Sequence, residues 1–461
     1  MIKEKSKKFE LKNLLPFVLF LVVLINYIPL FINNFNKKTS NAVETKAMVI
    51  AFGIECILLF IFLVRTIKFN KKFIINSILL AITTIVLLVI QLKSYLAGSM
   101  QIMDLANIAS ITVNIAILYL AFLNVHIEEK NVFQFFIGIV LLGLIACAIN
   151  VIIYRTEILR VLGIGGEAKL QNVKSFFAHR NQFAMFLYFS IVSSVILFIN
   201  TNKKWLKVLL AVTILIFGIS ILITASRTGI ACTLIFSGLF FVTTDRLKIR
   251  TKIIISLIGI LVLLVGAFVL FNNFPDLGEK IKTSIQKVLI REQTIKTFTG
   301  RATFWDLAIN LLMSSPISML FGVGRFAGLE LIEGYRVTQF HNFYIEALVA
   351  GGIMELLYLL FIYFTVIKNV IKSNIDKKYK ILYICLYISY AIYCNFESLG
   401  RFSIGCADTM CLVFLVTIPL LHSNVKITQE NKNIQDKEEK LDEVIKNKKE
   451  KLPYRRKMKK A

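Results

Sequence analysis

The sequence predicts an all-α fold that crosses a membrane many times, and three observations carry that expectation. The chain is 57% hydrophobic with a mean hydropathy of +0.72, more apolar surface than a soluble domain can cover. Its apolar residues fall in runs of about 20, the length a helix needs to cross the hydrocarbon. A formal net charge of +26 is segregated into short clusters between those runs. That distribution is expected of basic connections on one side of a membrane, and not of a nucleic-acid surface.

About twelve spans follow, at roughly 14–32, 47–67, 73–92, 103–125, 132–154, 181–200, 205–224, 228–244, 252–271, 342–367, 380–397 and 402–421. The first has a basic flank, an apolar core too long for a signal peptide and no small-residue cleavage site, so it reads as retained. Basic clusters precede the first span (Lys3, Lys5, Lys7, Lys8, Lys12) and recur at Arg65/Lys68/Lys71/Lys72, Lys203/Lys204/Lys207, Arg246/Lys248/Arg250/Lys252 and Lys368/Lys372/Lys377/Lys378/Lys380. With twelve spans all five fall on one side, together with the basic tail, and that side is expected to be the cytoplasm.

The expected organisation is a basic cytoplasmic N-terminus (1–13), nine spans (14–271), an extracytoplasmic loop subdomain (272–341), three spans (342–421) and a charge-dense cytoplasmic tail (422–461). The loop contains "GEKIKTSIQKVLIREQTIKTF", which places Ile281, Ile285, Val288 and Leu289 on one stripe and suits a helix lying on the membrane surface. A second helix, "TFWDLAINLLMSSP", stacks Phe304, Leu307, Ala308, Leu311 and Leu312 and stops at Pro316. The tail is expected to be solvated, touching anionic headgroups.

All seven cysteines lie inside apolar runs without a CxxC pair, and read as packing residues. Neither a DxD pair nor a cluster with ligand spacing is found, so no metal is expected; Asp276 and Glu279 read as loop residues. With no Walker loop, no nucleotide-driven pump is encoded in this sequence, and no cofactor is expected. Glu55, Asp104, Glu355, Glu397 and Asp408 are acidic residues within or beside spans and open a transport reading. Asp104 and Glu397 are expected near span ends, where water reaches; Glu55, Glu355 and Asp408 are expected deep.

One pattern points to chemistry. Arg180 ("FFAHRNQFAMF"), Arg227 ("ITASRTGIA"), Arg401 ("ESLGRFSIG") and His341 ("TQFHNFYIEAL") all sit at the outer ends of spans, and Arg301 and Arg325 lie in the outer loop. Positive charge there runs against the orientation bias. Arginines of this kind snorkel to headgroups or cap C-terminal carbonyls. Alternatively they converge on a phosphate-bearing lipid, because guanidinium matches phosphate oxygens bidentately and stays charged. His341, with Asn342 beside it, is either an interfacial histidine or a general base for an attacking hydroxyl. The glycines of "GVGRFAG" permit either a backbone nest or a plain turn.

The order of "FFAHRNQFA", "TASRTG", "GRATFWDLA", "FGVGRFAG" and "HNFYIEALVAGG" over roughly Phe176 to Phe364 resembles the O-antigen ligase and polysaccharide polymerase superfamily of bacterial membrane glycosyltransferases. The family's ligase motif is His, then Asn, Ser or Gln, nine residues, then Gly-x-x-Gly. His341, Asn342 and Gly352 match it, and Glu355 stands where the last glycine would be. The resemblance implies Arg227 and His341 as essential residues. It matches Arg180 and Asn181 to an asparagine-containing segment and Arg301 to a loop arginine.

It further implies metal-independent transfer of a glycan from an undecaprenyl-diphosphate carrier to a glycan or lipid-linked glycan acceptor. The site would lie on the outer face of a bacterial cytoplasmic membrane. Arg180, Arg301 and Arg325 are expected to bind the donor diphosphate, with Asn181, Asn342 and Arg401 in support. Membrane lipids, a flippase and a chain-length regulator are the expected partners. Polymerase is the expected activity, ligase the alternative and a lipid-linked sugar flippase a third; the departure at Glu355 weakens the strict ligase reading.

Overall fold

The computed structural model of the protein describes residues 11–35, 41–64, 69–98, 101–161, 173–177, 179–244, 301–331, 339–402 and 406–425. These residues form helices, turns and loops, with no strand among them. In chain order the helices are α1 (Leu15–Phe35), α2 (Asn41–Leu63), α3 (Lys71–Leu96), α4 (Ile102–Leu118), α5 (Glu129–Val161), α6 (Arg180–Asn200), α7 (Lys204–Thr224) and α8 (Arg227–Thr243). Then come α9 (Arg301–Met313), α10 (Pro316–Phe321), α11 (Arg325–Leu331), α12 (Phe343–Lys372), α13 (Lys377–Tyr393) and α14 (Cys406–Leu412). A π turn (Val413–Thr417) leads from α14 into α15 (Ile418–Ser423).

Six of the helical stretches are long and apolar enough to cross a membrane: Lys71–Leu96, Ile102–Phe122, Glu129–Leu159, Arg180–Asn200, Lys204–Thr224 and Phe343–Lys372. Shorter apolar helices run over Leu15–Ile28, Val49–Ile61, Arg227–Thr243 and Ala407–Ser423. The chain is therefore an integral membrane protein. The span expected at 252–271, the amphipathic stretch after it and the tail beyond Val425 lie outside the described residues. The expected eleventh span corresponds to α13, which has 17 residues and carries Tyr379, Tyr383, Tyr387, Tyr390 and Tyr393 along its length. Four of these hydroxyls find partners inside the bundle: Asn200 for Tyr379, His422 for Tyr383, the Leu415 carbonyl for Tyr387 and the Leu399 carbonyl for Tyr390.

Burial sorts the helices. In the most apolar window of α6, 78% of residues are buried, against 17% for α3 and 22% for α7. Hydrocarbon offers no hydrophobic drive between helices, so α6 must be held by packing and polar satisfaction. Ser190, Ser193 and Ser194 each donate to the carbonyl four residues earlier, which leaves no unpaired hydroxyl at this depth. Phe189 stacks on Phe414 of the π turn with ring centroids 4.4 Å apart. Five of the described cysteines are buried and Cys56 is half-buried, all with free thiols, in keeping with packing roles.

The helix ends define two poles about 30 Å apart, the length of a 21-residue helix. At one, Tyr379 Oη donates to Asn200 at the end of α6, Lys72 Nζ donates to Asn369 near the end of α12, and His422 lies between Tyr383 and Glu129. At the other, α6, α8 and α12 begin and α13 ends.

Near that second pole α12 is broken. Gly351 and Gly352 leave the helical region, with Gly352 at φ +67°. The backbone of α10 and the turn after it lies directly on the break. A Cβ on Gly352 would stand 2.3 Å from the Leu320 carbonyl carbon, and one on Gly322 would stand 2.7 Å from Gly351 N. The N–H groups of Val323 and Gly324 donate to the Val349 carbonyl at 2.9 and 3.1 Å, and Gln91 Nε2 donates to the Ala350 carbonyl at 2.6 Å. The glycines of "GVGRFAG" thus build a turn that satisfies the carbonyls freed by the break. In α9, Phe304, Ala308 and Leu312 pack with Phe340 and Val349, while Leu307 of the expected stripe faces outward.

Candidate active site

The "TASRTG" stretch folds as the junction between α7 and α8. Ala225 takes the left-handed conformation (φ +51°) that ends α7, and Ser226 caps α8 by accepting from Gly229 N at 3.3 Å. Arg227 is consequently the first residue of α8. Gly229 lets α8 approach α6 closely, since a Cβ there would lie 2.6 Å from Ala184 Cβ. Ala184 is in the first turns of the helix that Arg180 opens, so "SRTG" and "HRNQFA" pack side by side.

Arg180, Arg227, Arg301 and Arg325 are each the first residue of a helix, and none of those four helices has an acidic residue in its first turn. C-terminal capping, one of the alternatives for these arginines, therefore does not apply to these four. An arginine at a helix start adds charge to the positive end of the dipole, an unfavourable arrangement unless an anion is near.

For Arg301 that anion is Glu397, which follows the turn after α13. Asn181 Nδ2 donates to Glu397 Oε1 at 2.6 Å, and Arg301 Nη2 lies 3.7 Å from the same oxygen. His341 Nδ1 lies 3.4 Å from Oε2. Arg301 also donates through Nη1 to the Phe396 carbonyl at 2.7 Å. Glu397 is only 4% exposed, so the expectation of a water-reached span end is corrected: the carboxylate is enclosed by the groups it binds. The same correction applies to Asp104, at 1% exposure, which accepts from Phe326 N (2.7 Å), Ala327 N (3.2 Å) and Gln101 N (3.3 Å). It supplies the first turn of α11 with the negative group that α11 itself lacks.

His341 sits at φ +53°, a conformation costing about 1 kcal/mol or more in a non-glycine residue, and its neighbours hold it there. Trp305 Nε1 donates to the Phe340 carbonyl (3.0 Å), Phe340 N donates to Glu346 Oε2 (3.0 Å) and Asn342 N donates to Ser398 Oγ (3.0 Å). Asn342 then caps α12 by accepting from Tyr344 N and Ile345 N. The imidazole Nδ1 faces two groups, the Glu397 carboxylate and the Gln339 amide at 3.0 Å. A carboxylate can only accept, whereas an amide presents oxygen or nitrogen by a half turn. With the proton on Nδ1 the ring donates towards Glu397 and, after a half turn of the amide, towards Gln339, and in that tautomer Nε2 of the half-buried ring is the basic nitrogen.

Arg325 and Arg401 belong to a second, deeper network. Arg325 Nε pairs with Glu346 Oε1, and its guanidinium lies 5.1 Å from the Phe326 ring centroid. Arg401 is 1% exposed, with Nη2 2.6 Å from Glu355 Oε1 and Nη1 3.6 Å from Glu346 Oε1. Burial opposes the Arg401 charge, but Glu355 and Glu346 outweigh it and hold its pKa above the ordinary value. Glu355 fills the space beside Gly351, where a Cβ would stand 2.4 Å from Glu355 Oε2. The departure from the glycine motif is thus the counter-ion of a buried arginine.

Of the residues expected to form the site, His341, Asn181 and Arg301 meet at Glu397, and Asn342 is held beside them. Arg180 and Arg227 open the two helices packed alongside, while Arg325 and Arg401 are engaged by Glu346 and Glu355. Sequence reasoning missed Glu397 and Glu346 as partners of this cluster; a carboxylate at a span end, on the same face as the arginines, was the available signal. It also passed over His179, the N-cap of α6, whose Nδ1 accepts from Asn181 N at 3.2 Å. Partial burial lowers the His179 pKa; Glu397 opposes this, and Arg180, His341 and Lys174 add to it.

Residues 211–360 match a protein-family model described as O-antigen ligase, a stretch that includes Arg227, Arg301, Arg325, His341 and Asn342. No curated protein matches the chain. This match supports the resemblance of the chain to the O-antigen ligase and polysaccharide polymerase superfamily.

Proposed function

We propose that the protein is a polysaccharide polymerase that joins oligosaccharide repeats carried on undecaprenyl diphosphate at the outer face of a bacterial cytoplasmic membrane. The observation that carries this reading is Glu397, which ties His341, Asn181 and Arg301 into one cluster where arginine-led helices converge. A diphosphate suits such a cluster, because guanidinium groups match phosphate oxygens and helix starts favour an anion.

In this mechanism Arg227 and Arg180, with Arg301, neutralise the lipid diphosphate and stabilise the charge that develops as it leaves. His341 Nε2 takes the proton of the acceptor hydroxyl, and Glu397 orients the ring and counters the charge arriving on it. The hydroxyl oxygen bonds to the anomeric carbon as the bond from that carbon to the diphosphate oxygen breaks. A single displacement from the face opposite the diphosphate inverts that centre. Both leaving group and proton are accounted for without a metal or cofactor in the step.

The alternative is a ligase, which transfers a finished glycan to a different acceptor, and the family match fits both readings. Glu355 no longer argues against it, since its place is explained by Arg401. Supplying the protein with lipid-linked repeats alone separates the two: a polymerase makes a ladder of chain lengths, and a ligase makes product only when the second acceptor is added. In cells, Arg227→Ala and His341→Ala are expected to leave single lipid-linked repeats on the outer face. Accumulation on the inner face would favour a flippase instead.

A further inference from the structure

Glu346 is buried in the first turn of α12, at 1% exposure, and the groups gathered around its carboxylate are donors. Its Oε2 accepts from Phe340 N at 3.0 Å, while Oε1 pairs with Arg325 Nε and lies 3.6 Å from Arg401 Nη1. The Ser398 hydroxyl also donates to this carboxylate, and Ser398 Oγ accepts from Asn342 N at 3.0 Å. Phe340 and Asn342 are the two chain neighbours of His341. One carboxylate therefore grips the backbone on both sides of a residue at φ +53°, directly at Phe340 and through Ser398 at Asn342. Glu397, next to Ser398 in sequence, lies against the imidazole itself.

We propose that Glu346 is a positioning residue that holds the backbone of His341 for proton transfer, with Arg325 and Arg401 anchoring its carboxylate. The proposal rests on the base role given to His341 under Proposed function, and it gives a task to Arg325, which that mechanism does not use. A strained residue keeps its conformation only where its surroundings over-determine it. A base misplaced by about 1 Å loses on the order of 10²-fold in rate. Enclosed as it is, Glu346 reaches the reaction through His341 and not by contact with substrate. The carboxylate is specific to the task, because both of its oxygens accept and neither has to donate. A carboxamide of the same shape has one oxygen only, and its NH₂ would face either Phe340 N or the arginines.

The test compares the purified full-length wild type with Glu346→Gln and Ser398→Ala in steady-state transfer. A second readout is the rate at which diethyl pyrocarbonate modifies His341, followed by peptide mass spectrometry with the exposed His126 as internal reference. Glu346→Gln is expected to lower kcat by about 10²-fold and Ser398→Ala by about tenfold, each with KM for the lipid-linked donor within about twofold of the wild type. In both, the reactivity of His341 relative to His126 should change. A raised KM with kcat retained would assign Glu346 to substrate binding and overturn the inference. So would wild-type kcat and wild-type His341 reactivity in Ser398→Ala, which keeps every charge and can be read even where Glu346→Gln does not fold. If His341→Ala transfers like the wild type, the base reading itself falls, and the task of Glu346 with it.

Discussion

Glu397 lies 56 residues after His341 in sequence, yet its Oε2 stands 3.4 Å from the imidazole Nδ1 while its Oε1 is held by Asn181. This one carboxylate lies against the His341 imidazole and joins three helix starts. Glu397→Gln keeps the size and removes the fixed acceptor, so it is expected to lower kcat by about 10²-fold or more with a smaller effect on KM. Steady-state transfer assays check this, and a change confined to KM would assign Glu397 to substrate binding.

Arg401 answers to two buried carboxylates. Arg401→Ala would strand the buried Glu355 carboxylate that the arginine pairs with, and is expected to destabilise the protein by about 3–5 kcal/mol. Replacing Arg401 and Glu355 together by methionine removes both buried charges and leaves Glu346 paired with Arg325. Unfolding in detergent should show the double variant recovering most of the loss.

The break in α12 predicts a sharp contrast between glycines. Gly352→Ala places a Cβ 2.3 Å from the Leu320 carbonyl carbon at φ +67°, where neither backbone can give way without moving α10. It should cost about 3 kcal/mol or more, or prevent folding. Gly53→Ala, with nothing within 4 Å of the new Cβ, should be neutral or slightly stabilising. Thermal unfolding of the two variants decides the matter.

The depressed pKa of His179 gives stability a pH dependence with a definite sign. Its unfolded value is near 6.5, and the folded protein resists protonation of the ring. The full contribution of His179 is therefore present above about pH 6.5 and is lost as pH falls below that value towards the folded pKa. The Tm difference between the wild type and His179→Asn should stay constant above pH 6.5 and move against the wild type below it.

Much of the fold is legible in the sequence because a membrane span needs little more than an uninterrupted apolar run. α3, α6, α7 and the body of α12 fall where those runs lie, and Asn342 is recognisable as a helix cap. Other features depend on contacts that no local pattern encodes. Asp104 looks like a span-end acid until the backbone of α11 is brought against it from more than 200 residues away. The glycine pair in α12 carries no local sign of a break, yet it admits the backbone of α10 at one. In the site, the arginines and His341 stand out because positive charge is unexpected there. Glu397 does not, because its partners Asn181, Arg301 and His341 come from three other parts of the chain.

The most direct measurement is transfer by the purified full-length protein given only a defined oligosaccharide repeat on undecaprenyl diphosphate. The account predicts elongated glycan with one undecaprenyl diphosphate released per bond formed, and none of either with Arg227→Ala or His341→Ala. Undiminished transfer by those two variants, or no product from the wild type with any lipid-linked glycan and acceptor, would contradict it.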